Sequence, residues 1–430
     1  MSKKLKFPDG FLWGAATSAH QIEGGQHNDW TEWEPTVSKR LAREAPARLK
    51  ELVYNWADVR DEAKDPNNYI SAKATDHFTR YKEDIKNLSK LGLNSFAFSI
   101  EWSRIEPEPG IFNHEAMQHY VDVVDTCLEH GVAPVITLHH FTNPVWFAGW
   151  HERHAPTAFE KYAQYVFDAI GAKAKYWITI NEPSAVIFMR YLKGDVWPAW
   201  PKAENNIFRA LFAYRNMVRA HRRSYNYMKA QKPSVKVGFV HGWVEFINKG
   251  KVVSKLLTQF ISWINNKAIH RPIHKHIDFV ALHYYLAADV KVGLSWPSKW
   301  VSQYGQHSQL KTQKGWQVYP EGIQTAISSL HSHYGLPIFV TENGISDSSD
   351  TYRQQFIAQH LKHIHGAIES GAEVTGYLYW SLLDNFEWSE GYWEKFGLFA
   401  VDPKTKERSA RGSAKWYGQV AKNNFLEIDS

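Results

Sequence analysis

The sequence predicts a closed barrel of eight parallel β-strands wrapped by helices, the (β/α)8 TIM-barrel class of α/β fold, and three observations lead there. Short apolar runs rich in β-branched and aromatic residues recur eight times along the chain. Stretches with helical spacing lie between most of them. The runs are almost continuously apolar rather than alternating, as strands covered by helices are. Eight rounds of strand and helix suit a ring better than an open sheet. A barrel can use 430 residues as one unit, so residues 1–430 are expected to form a single domain with its active site at the C-terminal ends of the strands.

The eight runs are residues 11–16, 93–100, 133–139, 176–181, 235–241, 277–284, 337–341 and 374–381. Among the helices, residues 351–370 carry Phe356, Ile357, His360, Leu361, Ile364, Ala367 and Ile368 on one face. Asp350 is the expected N-cap and Gly371 the stop. Residues 37–68 are charged and read as a helical excursion after the first strand. Residues 295–315 read as a long polar loop after the sixth.

Composition narrows the function. Hydrophobic residues at 44% supply a large core, and charged residues at 22% argue against disorder. The 19 tryptophans are too many to be core filler alone, so some should line a site that needs flat apolar faces beside hydrogen-bond donors. The formal charge is +6, but the charges are interspersed, and short basic clusters such as residues 219–223 read as solvated surface rather than a nucleic-acid patch. Cys127 is the only cysteine; it excludes an intrachain disulfide and reads as a buried structural thiol. Pro8-Asp9-Gly10 stands where a signal peptide would need an apolar run. No apolar stretch reaches the roughly 18 residues of a membrane span. A cytoplasmic, soluble protein with no membrane partner is expected. No metal cluster and no glycine-rich phosphate loop is present, so neither metal nor cofactor is implied. The sequence does not set the oligomeric state.

The expected strand ends carry a distinctive set of residues. Gln21 follows the first strand, His139-His140 the third, and Asn181-Glu182 the fourth. His283-Tyr284-Tyr285 closes the sixth, Glu342-Asn343 the seventh, and Trp380 the eighth, which feeds Asp384, Glu387 and Trp388. Two glutamates therefore face one mouth from strands four and seven. Either alone reads as a surface charge. Together, among aromatics and amides, they match what glycosidic cleavage needs: one carboxyl group to protonate the leaving oxygen, another to attack the anomeric carbon. Gln21, Asn181 and Glu387 offer the paired acceptors or donor–acceptor geometry that reads vicinal hydroxyls, and His140 can donate to one. Trp380 and Trp388 offer faces for the C–H side of a pyranose.

These residues lie in motifs that resemble glycoside hydrolase family 1, the β-glucosidase and β-galactosidase family, from Phe7 to Tyr417. The motifs are Phe-Pro-Asp-Gly-Phe-Leu-Trp-Gly-Ala-Ala-Thr-Ser-Ala-His-Gln-Ile-Glu-Gly over 7–24, Thr-Ile-Asn-Glu-Pro over 179–183, Thr-Glu-Asn-Gly over 341–344, and Trp-Ser-Leu-Leu-Asp-Asn-Phe-Glu-Trp over 380–388. The resemblance implies Glu182 as acid/base, Glu342 as nucleophile and Tyr285 as the nucleophile's contact. It implies Gln21, His140, Asn181, Trp380, Glu387 and Trp388 as the sugar-binding set. The implied activity is retaining hydrolysis of small-molecule β-glucosides, and also of β-galactosides or β-fucosides. Glu387 would repel a 6-phosphate, so the implied sugar is not phosphorylated.

The chain departs from the family pattern at Phe141, Thr142, His283 and Ala97. Tryptophan is commoner at the first, aspartate at the second, asparagine at the third and arginine at the fourth. By alternation Ala97 should face the barrel interior. An arginine there would steady the nucleophile's charge; without it Glu342 should hold its proton more readily. Weak activity is then expected, improved by Ala97→Arg, unless His283 has taken over the role. A weakly active sugar-binding barrel and a transglycosylase stand as alternatives. Little chain lies between Val240 and Ile277, which would leave the aglycone side of the mouth open.

Overall fold

The computed structural model describes residues 3–194, 199–250, 252–291, 301–304 and 309–428. The eight expected runs form β1 (Leu12–Ala16), β2 (Ser95–Ser99), β3 (Ala133–His139), β4 (Tyr176–Ile180), β5 (Lys236–Asn248), β6 (Phe279–Val290), β7 (Ile338–Asn343) and β8 (Val374–Trp380). Each pairs in parallel with its neighbours, and β1 pairs with β8, so the sheet closes on itself. Gly14 allows the close approach of β1 and β2: a Cβ there would stand 2.0 Å from the Ser95 carbonyl oxygen.

Alternation along the strands divides two cores. Ala16, Ala97, Val135, Ile178, Val240, Phe339 and Leu378 pack together in the barrel interior. Phe96, Phe98 and Ile100 instead join the larger apolar layer between the strands and the helices. Ala97 thus faces inward, as the alternation requires. Cys127 is fully buried in the helix His114–Glu129, and burial pushes its thiol pKa up, away from a reactive thiolate.

Several expectations need correction. The helix after β7 runs Arg353–Glu369, and Asp350 does not cap it. Asp347 does: its carboxylate accepts the backbone N–H groups of Tyr352 and Arg353, at 2.7 and 3.1 Å. Asp350 has a φ of 60° and its carboxylate instead accepts from Ser413. The tertiary contact with Ser413 takes the Asp350 carboxylate away from the backbone N–H groups of this helix. Gly371, at φ 95°, does end the turn. The excursion after β1 begins earlier than its charged part, with the helix Asp29–Leu49. Its cap is Asn28, whose side chain accepts from Trp30 and Thr31 while Thr31 Oγ1 accepts from the Asn28 N–H.

β5 and β6 also run past the barrel rim, paired as far as Asn248 and Val290. Beyond them the helix Val252–Asn266 fills the stretch expected to be nearly empty. This helix buries Ser254, Thr258 and Asn266 and exposes Val252, Val253, Leu256, Phe260 and Trp263. Of the loop expected over 295–315, residues 295–300 and 305–308 lie outside the described residues. Among the described residues no helix is long and apolar enough to cross a membrane. The short strands Lys3–Lys6 and Phe425–Ile428, too lysine-rich or brief to stand out in sequence, pair antiparallel and tie the chain's two ends together.

Candidate active site

The C-terminal ends of β4, β6 and β7 bring three side chains to one point. Glu182 follows β4 in the left-handed region, with φ at 35°, and Pro183 opens the short helix Pro183–Val186. A non-glycine residue held there stores of order 1–3 kcal/mol, which the surrounding structure must offset. Glu342 lies within β7 and pairs in register with His283 of β6. His283 Nδ1 stands 2.8 Å from Glu182 Oε1 and 3.3 Å from Glu342 Oε2. These ligating atoms, one from each residue, all lie within 4.8 Å of one another. Tyr285, two residues along β6 and so on the same face, donates its hydroxyl to Glu342 Oε2 at 2.8 Å.

Burial raises the Glu342 pKa well above the usual carboxyl range, and the charges of Glu182 and Glu387 raise it further; the Tyr285 hydrogen bond pulls the other way. The Tyr285 phenol is itself driven far up by burial and then by Glu342, so it stays a donor. No lysine or arginine among the described residues pairs with Glu182 or Glu342.

A wall of rings stands beside the acids. His140 follows β3 and lies nearly parallel to Trp380 and Trp388, each with a centroid separation of 6.0 Å. Burial, helped by the neighbouring His283 and His139, holds its pKa well below the usual value, so the ring is neutral. Asn181 Nδ2 lies 3.2 Å from its Nε2 and donates to it. Trp388 in turn stacks on His20 at 5.4 Å. Phe141 and Trp388 have positive φ, 73° and 52°, so three residues at this mouth hold the left-handed conformation.

Glu387 lies opposite. Gln21 Nε2 donates to its Oε2 at 3.1 Å and to Asn385 at 3.1 Å, while Ser18 donates to the Gln21 carbonyl at 2.7 Å. Gln21 is fully buried behind Glu387 and does not line the cavity. The other expected sugar contacts, His140, Asn181, Trp380, Glu387 and Trp388, all do.

Sequence reasoning missed a buried charge cluster beside them. Lys314 Nζ sits 3.2 Å from Glu394 and 3.7 Å from Glu390, and 4.5 Å above the Trp316 ring. Burial raises the Glu387 pKa to about 7; Lys314 lowers it and Glu390 raises it. No local spacing marks Lys314, because its partners lie more than 70 residues away on the loop after β8.

The inner cavity, about 190 Å³, is smaller than the roughly 300–1,000 Å³ of drug-sized pockets and suits one ring rather than a chain. An outer cleft of about 740 Å³ shares Glu182, Met189, Tyr285 and Trp316 with it. Phe188, Trp243, Phe246, Ile261, Leu286 and Val301 make that cleft largely apolar. Carboxyl oxygens within 4.8 Å match the roughly 5–5.5 Å spacing of direct attack, not the 6.5–9.5 Å that leaves room for a water.

The family model described as Glycosyl hydrolase family 1 matches residues 3–247 and 259–426, and the chain belongs to that family. It is 32% identical to Beta-glucosidase A of Thermotoga maritima over 98% of this chain and 99% of that protein. It is 29% identical to Beta-glucosidase A of Acetivibrio thermocellus, with 98% and 99% covered. Among solved structures, a beta-glycosidase from Pyrococcus horikoshii superposes with a TM-score of 0.85 at 34% identity, covering 100% of this chain and 97% of that one. The Thermotoga maritima beta-glucosidase in complex with glucoimidazole gives 0.82 at 31% identity, covering 98% and 100%.

The charge cluster generates a prediction. Lys314→Met leaves Glu390 and Glu394 buried without their cation, and breaking a buried pair from one side costs about 3–5 kcal/mol. The apparent melting temperature should fall, and adding Glu394→Gln should recover part of it. An unchanged melting temperature for the single variant would contradict the cluster as described.

Proposed function

We propose that this protein is a retaining exo-β-glycosidase that hydrolyses non-phosphorylated β-D-glucosides, and also β-D-galactosides and β-D-fucosides, by double displacement. The observation that carries this reading is the spacing of Glu182 and Glu342. Their exposure supports the division of roles. Glu182 borders both the inner cavity and the outer cleft, with its side chain 21% exposed, where the leaving alcohol departs and water enters. Glu342 borders the inner cavity and is 10% exposed, as a nucleophile beneath the sugar would be. Glu182 is thus the acid/base and Glu342 the nucleophile, with Tyr285 fixing its orientation.

His140, Asn181, Glu387 and the tryptophans Trp380 and Trp388 are the groups that hold the sugar. Gln21 acts from behind by orienting Glu387. Glu387, Glu390 and Glu394 outnumber Lys314, which disfavours a phosphorylated sugar. The non-catalytic alternative is not favoured, since both carboxyl groups stand at reacting distance and Glu342 keeps its tyrosine partner. The paired terminal strands support reading residues 1–430 as one domain. The lone buried cysteine suits a reducing cytoplasm.

Two outcomes follow. Glu182→Ala should slow substrates with poor leaving groups far more than activated aryl glucosides, since only the former need protonation. Azide should then restore turnover and give a β-glycosyl azide; an α-azide, or equal slowing for all leaving groups, would remove this role assignment. Second, the apolar outer cleft should favour apolar aglycones. Octyl β-glucoside should be turned over with a kcat/KM at least about tenfold above that of cellobiose, the worth of about 1.4 kcal/mol of apolar burial. A preference for cellobiose would contradict the cleft's assignment.

A further inference from the structure

We propose that His283 is a positioning residue for this reaction: as an imidazolium, with Nδ1 hydrogen-bonded to Glu182 and close beside Glu342, it remains the counter-ion of whichever carboxylate is charged. The proposal rests on the glycosidase reading above. It starts from a charge that moves. Double displacement requires Glu342 to react as the carboxylate and Glu182 to hold a proton. In the first step a Glu342 oxygen bonds to the anomeric carbon and the bond from that carbon to the aglycone oxygen breaks. The electron pair goes to the leaving oxygen, which takes the Glu182 proton. Glu342 is now a neutral ester and Glu182 carries the charge. In the second step water gives a proton to Glu182 and its oxygen bonds to the anomeric carbon. The ester bond breaks and its electrons return to Glu342. One negative charge has crossed between the two side chains and come back.

A cation fixed beside either acid alone would serve half of that cycle. His283 Nδ1 lies at hydrogen-bond distance from Glu182, 2.8 Å, and 3.3 Å from Glu342. Its side chain is 2% exposed, so water cannot supply the compensation in its place. The other titratable groups around it do not compete for the role. Tyr285, on the same strand, stays a phenol. His140, at the end of β3, is held neutral, in part by His283 itself. Glu387, from the loop after β8, adds negative charge to the site. Ala97 lies in the barrel interior and brings no charge. On this proposal His283 takes the role that the sequence reading left open as the alternative to an uncompensated nucleophile.

The test is a pair of substitutions read by pH profile. His283→Asn keeps a hydrogen-bond donor and removes the cation. It should lower kcat/KM for an aryl β-glucoside by at least about tenfold, equivalent to about 1.4 kcal/mol. Losing the cation raises the proton affinity of both acids, so both limbs of the profile should move to higher pH. Ala97→Arg alone should give no gain, whereas added to His283→Asn it should return the acidic limb towards its original position. Limbs that stay in place in His283→Asn would overturn the proposal, as would an equal gain from Ala97→Arg with and without His283. Should the arginine variants fail to fold, the 15N shifts of His283 in the unmodified enzyme decide. At the pH of maximal activity both ring nitrogens should be protonated; a neutral tautomer would overturn the proposal. Failure of the glycosidase reading is separate, since the unmodified enzyme would then not turn over the glucoside at all.

Discussion

Two carboxyl groups held within 4.8 Å of each other at a buried site repel strongly when both are charged. At an effective dielectric constant near 20, that repulsion is about 3–4 kcal/mol. The site therefore favours one negative charge shared between two acids, and the surrounding residues follow from that preference. Tyr285 donates to Glu342. His283 touches both acids. His140 is kept neutral by burial. Burial, and then the charges of Glu182 and Glu387, raise the proton affinity of Glu342, and no lysine or arginine among the described residues pairs with it.

The barrel supplies the rigidity that this arrangement needs. Glu342 and His283 occupy paired positions on neighbouring strands, so their separation is set by the sheet rather than by a loop. Glu182 is aimed by a strained turn that Pro183 fixes from the other side. Behind the sugar-facing surface a further layer, from Ser18 through Gln21 to Glu387 and from Lys314 to Glu394, orients groups that would otherwise repel one another. The outer cleft is built differently: its side chains are apolar and offer shape more than hydrogen bonds.

Much of this was legible in the sequence. The eight strands stood out because each is buried on both faces and reads as an apolar run. The residues at their ends were legible because the barrel's topology gathers those ends at one mouth. The parts that were not legible depend on tertiary partners. Asp350 was the expected cap, but its carboxylate is held by Ser413 and Asp347 accepts the helix's first N–H groups instead. The extensions of β5 and β6 pass beyond the rim, where most of residues 242–248 of β5 are only half-buried while Leu286, Ala287, Ala288 and Val290 of β6 stay buried by tertiary packing. Lys314 gives no local sign of its buried acids. Gln21 lies just beyond β1, in the short helix Ala19–Ile22, and its hydrogen bond to Glu387 depends on a partner 366 residues away. His283 was visible at the end of the sixth strand and as a departure from a pattern; its place between the two acids came from the register of β6 against β7.

Everything at this site depends on the two carboxyl groups being close enough for one of them to attack the sugar directly. Proton NMR of the first sugar released from an aryl β-glucoside, recorded before mutarotation sets in, reads this from the anomeric signal. Double displacement inverts the anomeric centre twice, so the β-anomer should appear first and decay towards equilibrium. First appearance of the α-anomer would mean that water attacks in a single step, and would contradict the roles given to Glu182 and Glu342.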